Sequence, residues 1–247
     1  MFGFLNKIVV MKNRLSIKES IKMELSGWKR YEILALIFVF TTIFISAIIL
    51  KDSIIAVISA ICGILYTVIA GKGKISCYFF GVCGSGCYSY LAFTNGLYGN
   101  LILYMCYYIP MQIFGIFKWK KHLKKQNNEI IKTQLPAKER LILALIAIII
   151  CTVAIFILDY FNDAQPVKDG ITTMLSVIGM YLTVRRCIEQ WVIWMIVNGL
   201  SFTMWINAII HGAKAYATVI MWAFYFAAAI YFYIVWKKEI KYTNLQS

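Results

Sequence analysis

Residues 33–50 read "ILALIFVFTTIFISAIIL" and residues 141–158 read "LILALIAIIICTVAIFIL", two long runs without a single charge. A hydrocarbon core about 30 Å thick takes about 20 mostly apolar residues to cross as a helix. Inside it, every backbone N–H and C=O must find a partner within the protein. Several such runs in one chain therefore dictate a bundle of membrane-spanning helices. Hydropathy marks eight candidate spans, at about 31–50, 53–70, 75–94, 97–117, 141–158, 168–184, 190–207 and 216–236. Composition agrees: 61% of the 247 residues are apolar and 15% are charged, against about 25% charged in an ordinary soluble domain.

The formal net charge of +14 would point to nucleic acid in a soluble protein, but here the basic residues sit between spans, where they act as topology signals. Nucleic-acid binding is set aside because no soluble basic fold carries them. With the N-terminus inside, 22 of the 25 Lys and Arg fall in inner segments, and only Lys51, Lys168 and Lys214 fall outside. That asymmetry supports eight spans with both termini cytoplasmic. The first thirty residues are basic and amphipathic rather than a signal peptide, and are expected to lie on the cytoplasmic membrane surface.

The expected organisation is a surface segment (1–30), an extra transmembrane helix (31–50) and a first three-helix bundle (51–117). A basic cytoplasmic loop (118–140), a linker helix (141–158), a second three-helix bundle (159–236) and a cytoplasmic tail (237–247) follow. An offset of 117 places Trp119-Lys120-Lys121 on Trp236-Lys237-Lys238 and Tyr107-Tyr108 on Phe224-Tyr225. Spans 2–4 then map onto spans 6–8 in the same orientation, as parallel copies about an axis along the membrane normal. The fold class is thus all-α and polytopic, with an N-terminal helix added to a 3+1+3 parallel-repeat core. The 118–140 loop reads as solvated, with no chemistry assigned to it.

Ionisable residues at mid-depth mark function in a membrane protein by default. None is present: Glu32, Asp159 and Glu189 fall near span ends, and no Lys or Arg interrupts a span. His122 lies in a charge run and His211 in a short outer loop. The seven cysteines have no His or carboxylate beside them, so they read as small apolar packers. No catalytic set, metal site or cofactor is implied, and the protein reads as not an enzyme. The pattern favours a passive path for a polar neutral solute or a delocalised cation.

What polarity lies at mid-depth is amide and aromatic. "EQWVIWMIVN" (189–198) sets Trp191, Trp194 and Asn198 on one side of a helix. Span 4 sets Tyr104, Tyr108 and Gln112 on one stripe, and Pro110 should kink it by removing a donor and crowding the Cys106 carbonyl. At about 1.5 Å per residue, Gln112 and Trp194 both lie roughly 6–8 Å inward of the midplane, with Tyr108, Asn198 and Tyr225 close to it. Amides in hydrocarbon cost several kcal/mol unless paired, so they must face protein or cargo. Bland readings stand beside these. Trp191 sits where an aromatic-belt anchor would, Asn198 can join helices, and Pro110 can merely shape packing. Tyr107, Tyr108, Trp205, Trp222 and Tyr225 can be core, and Asn95 and Asn100 flank a turn. "GVCGSG" (81–86) permits close helix approach and also leaves room for a solute. Indoles, phenols and two amides can sandwich a flat ring and bond a carboxamide or ribose. That suits a pyridinium nucleoside, a thiazolium vitamin or a nucleobase.

At these residues the chain resembles the PnuC-type vitamin transporters, whose best-known cargo is nicotinamide riboside. The stretches that carry the resemblance are "NGLYGNLILYMCYYIPMQIFGIFKWKKH" (95–122), "EQWVIWMIVNGLS" (189–201) and "GKGKISCYFFG" (71–81), within a likeness spanning about 50–240. The resemblance implies a SWEET-like core, a homotrimer in the cytoplasmic membrane, and facilitated diffusion with cargo trapped by cytoplasmic phosphorylation. It assigns substrate binding to the Trp-x-x-Trp-x-x-x-Asn set (Trp191, Trp194, Asn198) and to Gln112 of the Pro-Met-Gln set. Tyr104, Tyr108 and Tyr225 join them as candidates, with Pro110 as gate or kink. Ala229 stands at Gln112's counterpart under the offset, so the site is asymmetric. A deoxynucleoside or thiamine on the same scaffold is the alternative cargo.

Overall fold

The computed structural model describes residues 26–50, 53–94, 101–123, 129–161, 165–210 and 216–246. The expectations for residues 1–25, Asn95, Asn100 and His211 lie outside these, as does the side chain of Trp205. The described residues are helical, without a β-strand beyond isolated bridges. The helices are α1 (Arg30–Leu50), α2 (Ile54–Gly71), α3 (Cys77–Thr94) and α4 (Ile109–Lys120), the last entered through a π-helical turn, Leu103–Tyr108. After them come α5 (Ala137–Tyr160), α6 (Pro166–Val184), α7 (Glu189–Ile210) and α8 (Tyr216–Gln246). The expected all-helical fold of eight elements is the observed one.

Four of these helices are by themselves long and apolar enough to cross a membrane: Arg30–Ile49, Ile54–Gly71, Ala137–Tyr160 and Val219–Thr243. On α1 and α5 large apolar side chains such as Phe38, Ile48, Ile148 and Phe156 point away from the protein. Lipid, rather than a protein core, covers such faces. α3, α4, α6 and α7 are more polar because their inward faces line a cavity.

Three-helix units form by α2 packing on α3 and α3 on α4, and by α6 on α7 and α7 on α8. The units meet through α4 on α6 and α8 on α2, so the third helix of each touches the first helix of the other. α5 packs on α6, and α1 lies across α2 and α8.

The two units share their backbone devices. α2 ends in a turn where Lys72 N–H donates to the Val68 carbonyl, Lys74 N–H to Ile69, and Gly73 has φ +73°. α6 ends likewise: Arg185 N–H donates to Tyr181, Cys187 N–H to Leu182, and Arg186 has φ +64°. These are Schellman-type caps, which need a left-handed residue after the helix. Gly73 and Arg186 are 113 positions apart, whereas Trp119 and Trp236 are 117 apart. The single offset of 117 thus holds for the third helices alone. The first two helices of each unit correspond at 113, the difference of four residues falling before the third helix.

Trp119 donates its indole N–H to the Thr183 carbonyl at 3.0 Å, and Trp236 donates to the Gly71 carbonyl at 2.6 Å. Each indole donates to a carbonyl in the last turn of the other unit's first helix, and the Thr183 carbonyl also takes the Arg186 N–H at 3.0 Å. Trp119 packs edge-on against Tyr78, and Trp236 edge-on against Trp191. All four are buried.

The connector after α4 differs from its expected character as a solvated loop. Ile130 N–H donates to the Gly73 carbonyl and Thr133 N–H to the Arg186 carbonyl, each at 2.9 Å. Arg186 Nη1 donates back to the Ile131 carbonyl at 2.9 Å. Ile130 and Leu135 are buried, Lys132 pairs with Glu239 of α8, and Lys74 lies 3.8 Å from Glu129. The segment is a strap over both caps. Isolated apolar residues among the basic ones seat it, and carboxylates neutralise the lysines it buries. Glu189 accepts the Leu135 N–H and pairs with Arg140, so it ties the start of α7 to the same strap. Glu32 does comparable work for α1, pairing with Lys72 at 2.7 Å and accepting the Tyr231 hydroxyl at 2.8 Å. The start of α1 and the end of α8 therefore both lie at the strap end.

Candidate functional site

A cavity of about 700 Å3 lies between the two units, within the usual range for small-molecule sites. Its lining runs from Ser53 and Ala56, at the far end of α2, to Gln190, Trp191 and Ala229 near the strap end. Behind two of its lining residues lie further rings: Trp236 against Trp191 at 5.6 Å, and Tyr78 beside Tyr66 at 6.3 Å. Ile43 and Ser46 of α1 join the wall, so the added N-terminal helix is part of the container.

All seven expected binding residues line this one space: Tyr104, Tyr108 and Gln112 from the α4 arm, Trp191, Trp194 and Asn198 from α7, and Tyr225 from α8. The π turn bears on the first three. Ile109 N–H donates to the Tyr104 carbonyl, a five-residue span, which shifts the ladder just before Pro110. A proline ring crowds the carbonyl four residues back, and a π register is a known way to relieve that. Pro110 itself is exposed and does not line the cavity. The tyrosines pack as a chain, Tyr88 against Tyr104 at 4.4 Å and Tyr104 edge-on to Tyr108 at 4.7 Å. Tyr107 turns away from the site and donates to the Val177 carbonyl at 2.7 Å, a strut between units.

The two amides differ in their partners. Gln112 is buried, and its Nε2 donates to the Ser85 hydroxyl at 3.1 Å. Gly81 leaves space for it, since a Cβ there would lie 3.1 Å from the amide and 2.8 Å from the Tyr66 ring. Asn198 is equally buried, yet among the described residues its side chain has no hydrogen-bond partner. Trp194 donates to the Thr183 hydroxyl at 3.3 Å. Trp191 is not a belt anchor: it is buried, its ring lies 5.4 Å from that of Phe232, and its N–H has no partner among the described residues. The belt position predicted from depth fails because α8 covers that face of α7. Trp222, treated as core by its sequence, also lines the cavity and meets Tyr225 edge-on at 5.7 Å.

Sequence reasoning missed Tyr66, Ser85, Thr183 and Gln190, all of them in the lining. The 113 spacing reveals Ser85, which is the counterpart of Asn198. Hydroxyls such as Thr183 in an apolar span carry no signal of their own, because they can bond a carbonyl one turn back. In "GVCGSG", Gly84 packs on Cys62 of α2 and also lines the cavity, so that run both joins helices and leaves room.

Two parallel-related bundles around an uncharged, ring-lined intramembrane cavity define a multi-pass membrane transporter for a small organic solute. The family model described as nicotinamide mononucleotide transporter matches residues 53–238, and the chain belongs to that family. It is 31% identical over 229 residues to the nicotinamide riboside transporter PnuC of Neisseria mucosa, covering 87% of this chain and 84% of that one. The Haemophilus influenzae protein of the same name is 30% identical over 234 residues, covering 93% and 100%. A crystal structure of the vitamin B3 transporter PnuC superposes with a TM-score of 0.79 at 31% identity, covering 92% of this chain and 99% of that one. The protein is a multi-pass protein of the cell membrane.

Proposed function

We propose that the protein carries nicotinamide riboside into the cell by facilitated diffusion, the cargo being trapped by phosphorylation in the cytoplasm. The observation that carries this reading is the charge of the lining: among the described residues it has rings, hydroxyls and amides, but no Lys, Arg, Asp or Glu. A mononucleotide would bring a phosphate with no cation to meet it, and an unpaired buried charge is severely penalised. A nucleoside with a delocalised pyridinium cation suits aromatic faces instead. Among the described residues no carboxylate lines the cavity, which supports transport without coupling to a proton or sodium ion and without acid–base chemistry.

In this reading Trp191 and Trp194 give the ring its faces. Asn198 and Gln112 bond the carboxamide or the ribose hydroxyls. Tyr104, Tyr108 and Tyr225 form the walls. In this reading the strap end is cytoplasmic, with both termini on that side. Pro110 and the π turn before it act as the bend about which the α4 arm moves. The working assembly is a homotrimer, as the family resemblance implies.

The test is uptake of labelled nicotinamide riboside by liposomes holding the purified protein, without an ion gradient. Equilibration of label that unlabelled nicotinamide riboside suppresses, and the mononucleotide does not, is the expected result. No equilibration overturns the transport reading. Stronger suppression by thymidine or thiamine reassigns the cargo.

A further inference from the structure

Trp194 is held by a device that occurs once among the described residues. Its indole N–H donates to the Thr183 hydroxyl at 3.3 Å, and that hydroxyl donates to the Gly179 carbonyl at 2.8 Å. Gly179 also clears space for the ring: a Cβ there would lie 3.1 Å from the indole Cε2 and Cζ2 atoms. Thr183 is buried and lines the cavity. Its carbonyl takes the Trp119 indole from α4 at 3.0 Å, so one residue of α6 ties down indoles from both units. At the 113 spacing the first unit carries Ala70 in place of Thr183 and Gly81 in place of Trp194, and it has no such hold.

A threonine hydroxyl whose proton is committed to a carbonyl can only accept from the indole. An indole has one donor. With that donor used, Trp194 offers cargo its face and not its N–H. Asn198, one helical turn further along α7, has no side-chain hydrogen-bond partner among the described residues.

We infer that Thr183 is a positioning residue for cargo selection: it fixes the plane of Trp194 so that the cavity recognises a flat ring through the indole face. This rests on the reading of the cavity as a nucleoside site. In full-length protein, Thr183→Val should raise the Kd for nicotinamide riboside about three- to tenfold, the worth of one net hydrogen bond. Thr183→Ser should restore it. In a Trp194→Phe background, which has no N–H to hold, Thr183→Val should add nothing. An equal loss in both backgrounds overturns the inference, because Thr183 would then act other than through Trp194.

A ligand-free readout separates this from the cargo assignment. The Trp194 indole N–H resonance, identified by its loss in Trp194→Phe, should move upfield in 15N-labelled Thr183→Val and return in Thr183→Ser. An unmoved resonance overturns the hold. If the wild-type protein fails to bind nicotinamide riboside, the cargo reading falls, and the resonance still decides whether Thr183 holds the ring. If Thr183→Val does not fold, Gly179→Ala takes its place: it presses on the ring without touching the hydroxyl and should weaken binding by a similar factor. Unchanged affinity there counts against the inference.

Discussion

Gly73 and Arg186 occupy the same turn in the two three-helix units, and Trp119 and Trp236 reach across to the same kind of carbonyl. Facing the cavity, the units part company. The first pairs an aromatic on α2, Tyr66, with a glycine on α3, Gly81; the second reverses this, with Gly179 on α6 and Trp194 on α7. Ser85 stands where the second unit has Asn198, and Gln112 where it has Ala229. Helix caps and inter-unit indole bonds thus repeat, because the backbone must be satisfied in both halves. Side chains toward the solute need not repeat, because a cargo without twofold symmetry gains nothing from matched walls.

The largest break in this comparison would come from filling the first unit's open position. Gly81→Leu places a side chain against Tyr66 and Gln112, where even a Cβ would lie within 2.8 and 3.1 Å. Liposome uptake should fall by at least about 100-fold, since overpacking costs roughly 1–3 kcal/mol and the leucine also occupies cargo space.

Next come the second unit's contacts. Trp194→Ala and Asn198→Ala should each weaken nicotinamide riboside binding by about 1–3 kcal/mol, measured by calorimetry. Ala229→Ser, at the counterpart of Gln112, should change it by less than about 0.5 kcal/mol. A larger loss at Ala229 than at Asn198 would reverse the proposed asymmetry.

A last pair of effects, on stability and not on binding, separates the two turns. Gly73→Ala forces a side chain into a left-handed residue and within 2.9 Å of Ile130, a cost of about 1–2 kcal/mol. Arg186→Gly removes such strain but loses the bond to the Ile131 carbonyl, so its net change should stay within about 1 kcal/mol. Thermal melts of the detergent-solubilised variants should show the lower Tm for Gly73→Ala.

Spans, orientation rule and the absence of mid-depth charge could be read from residue order, because crossing a bilayer depends on length and polarity along one dimension. The seven cavity residues were legible for a related reason: spacing of three or four on a helix and counting depth from span ends place them on one face and in one slab. The burial of Trp191 was not legible, since whether an indole at that depth meets lipid or protein depends on α8, which packs on that face from beyond position 216. The strap was hidden by its charges: its Lys132 pairs with Glu239 of α8 and its Glu129 lies beside Lys74 after α2, partners that only folding brings near.

By itself, then, the sequence determined a bundle of membrane helices with parallel repeats and an uncharged, aromatic middle, because hydrocarbon tolerates few other solutions. Only the tertiary structure decided that Gln112 is held by Ser85 while Asn198 has no partner among the described residues, and that the Trp194 donor is taken by Thr183. Those outcomes turn on which hydroxyl lies within about 3 Å of which donor, and hydrogen bonding at that range is settled by helix rotation and close approach at glycines, not by spacing along the chain.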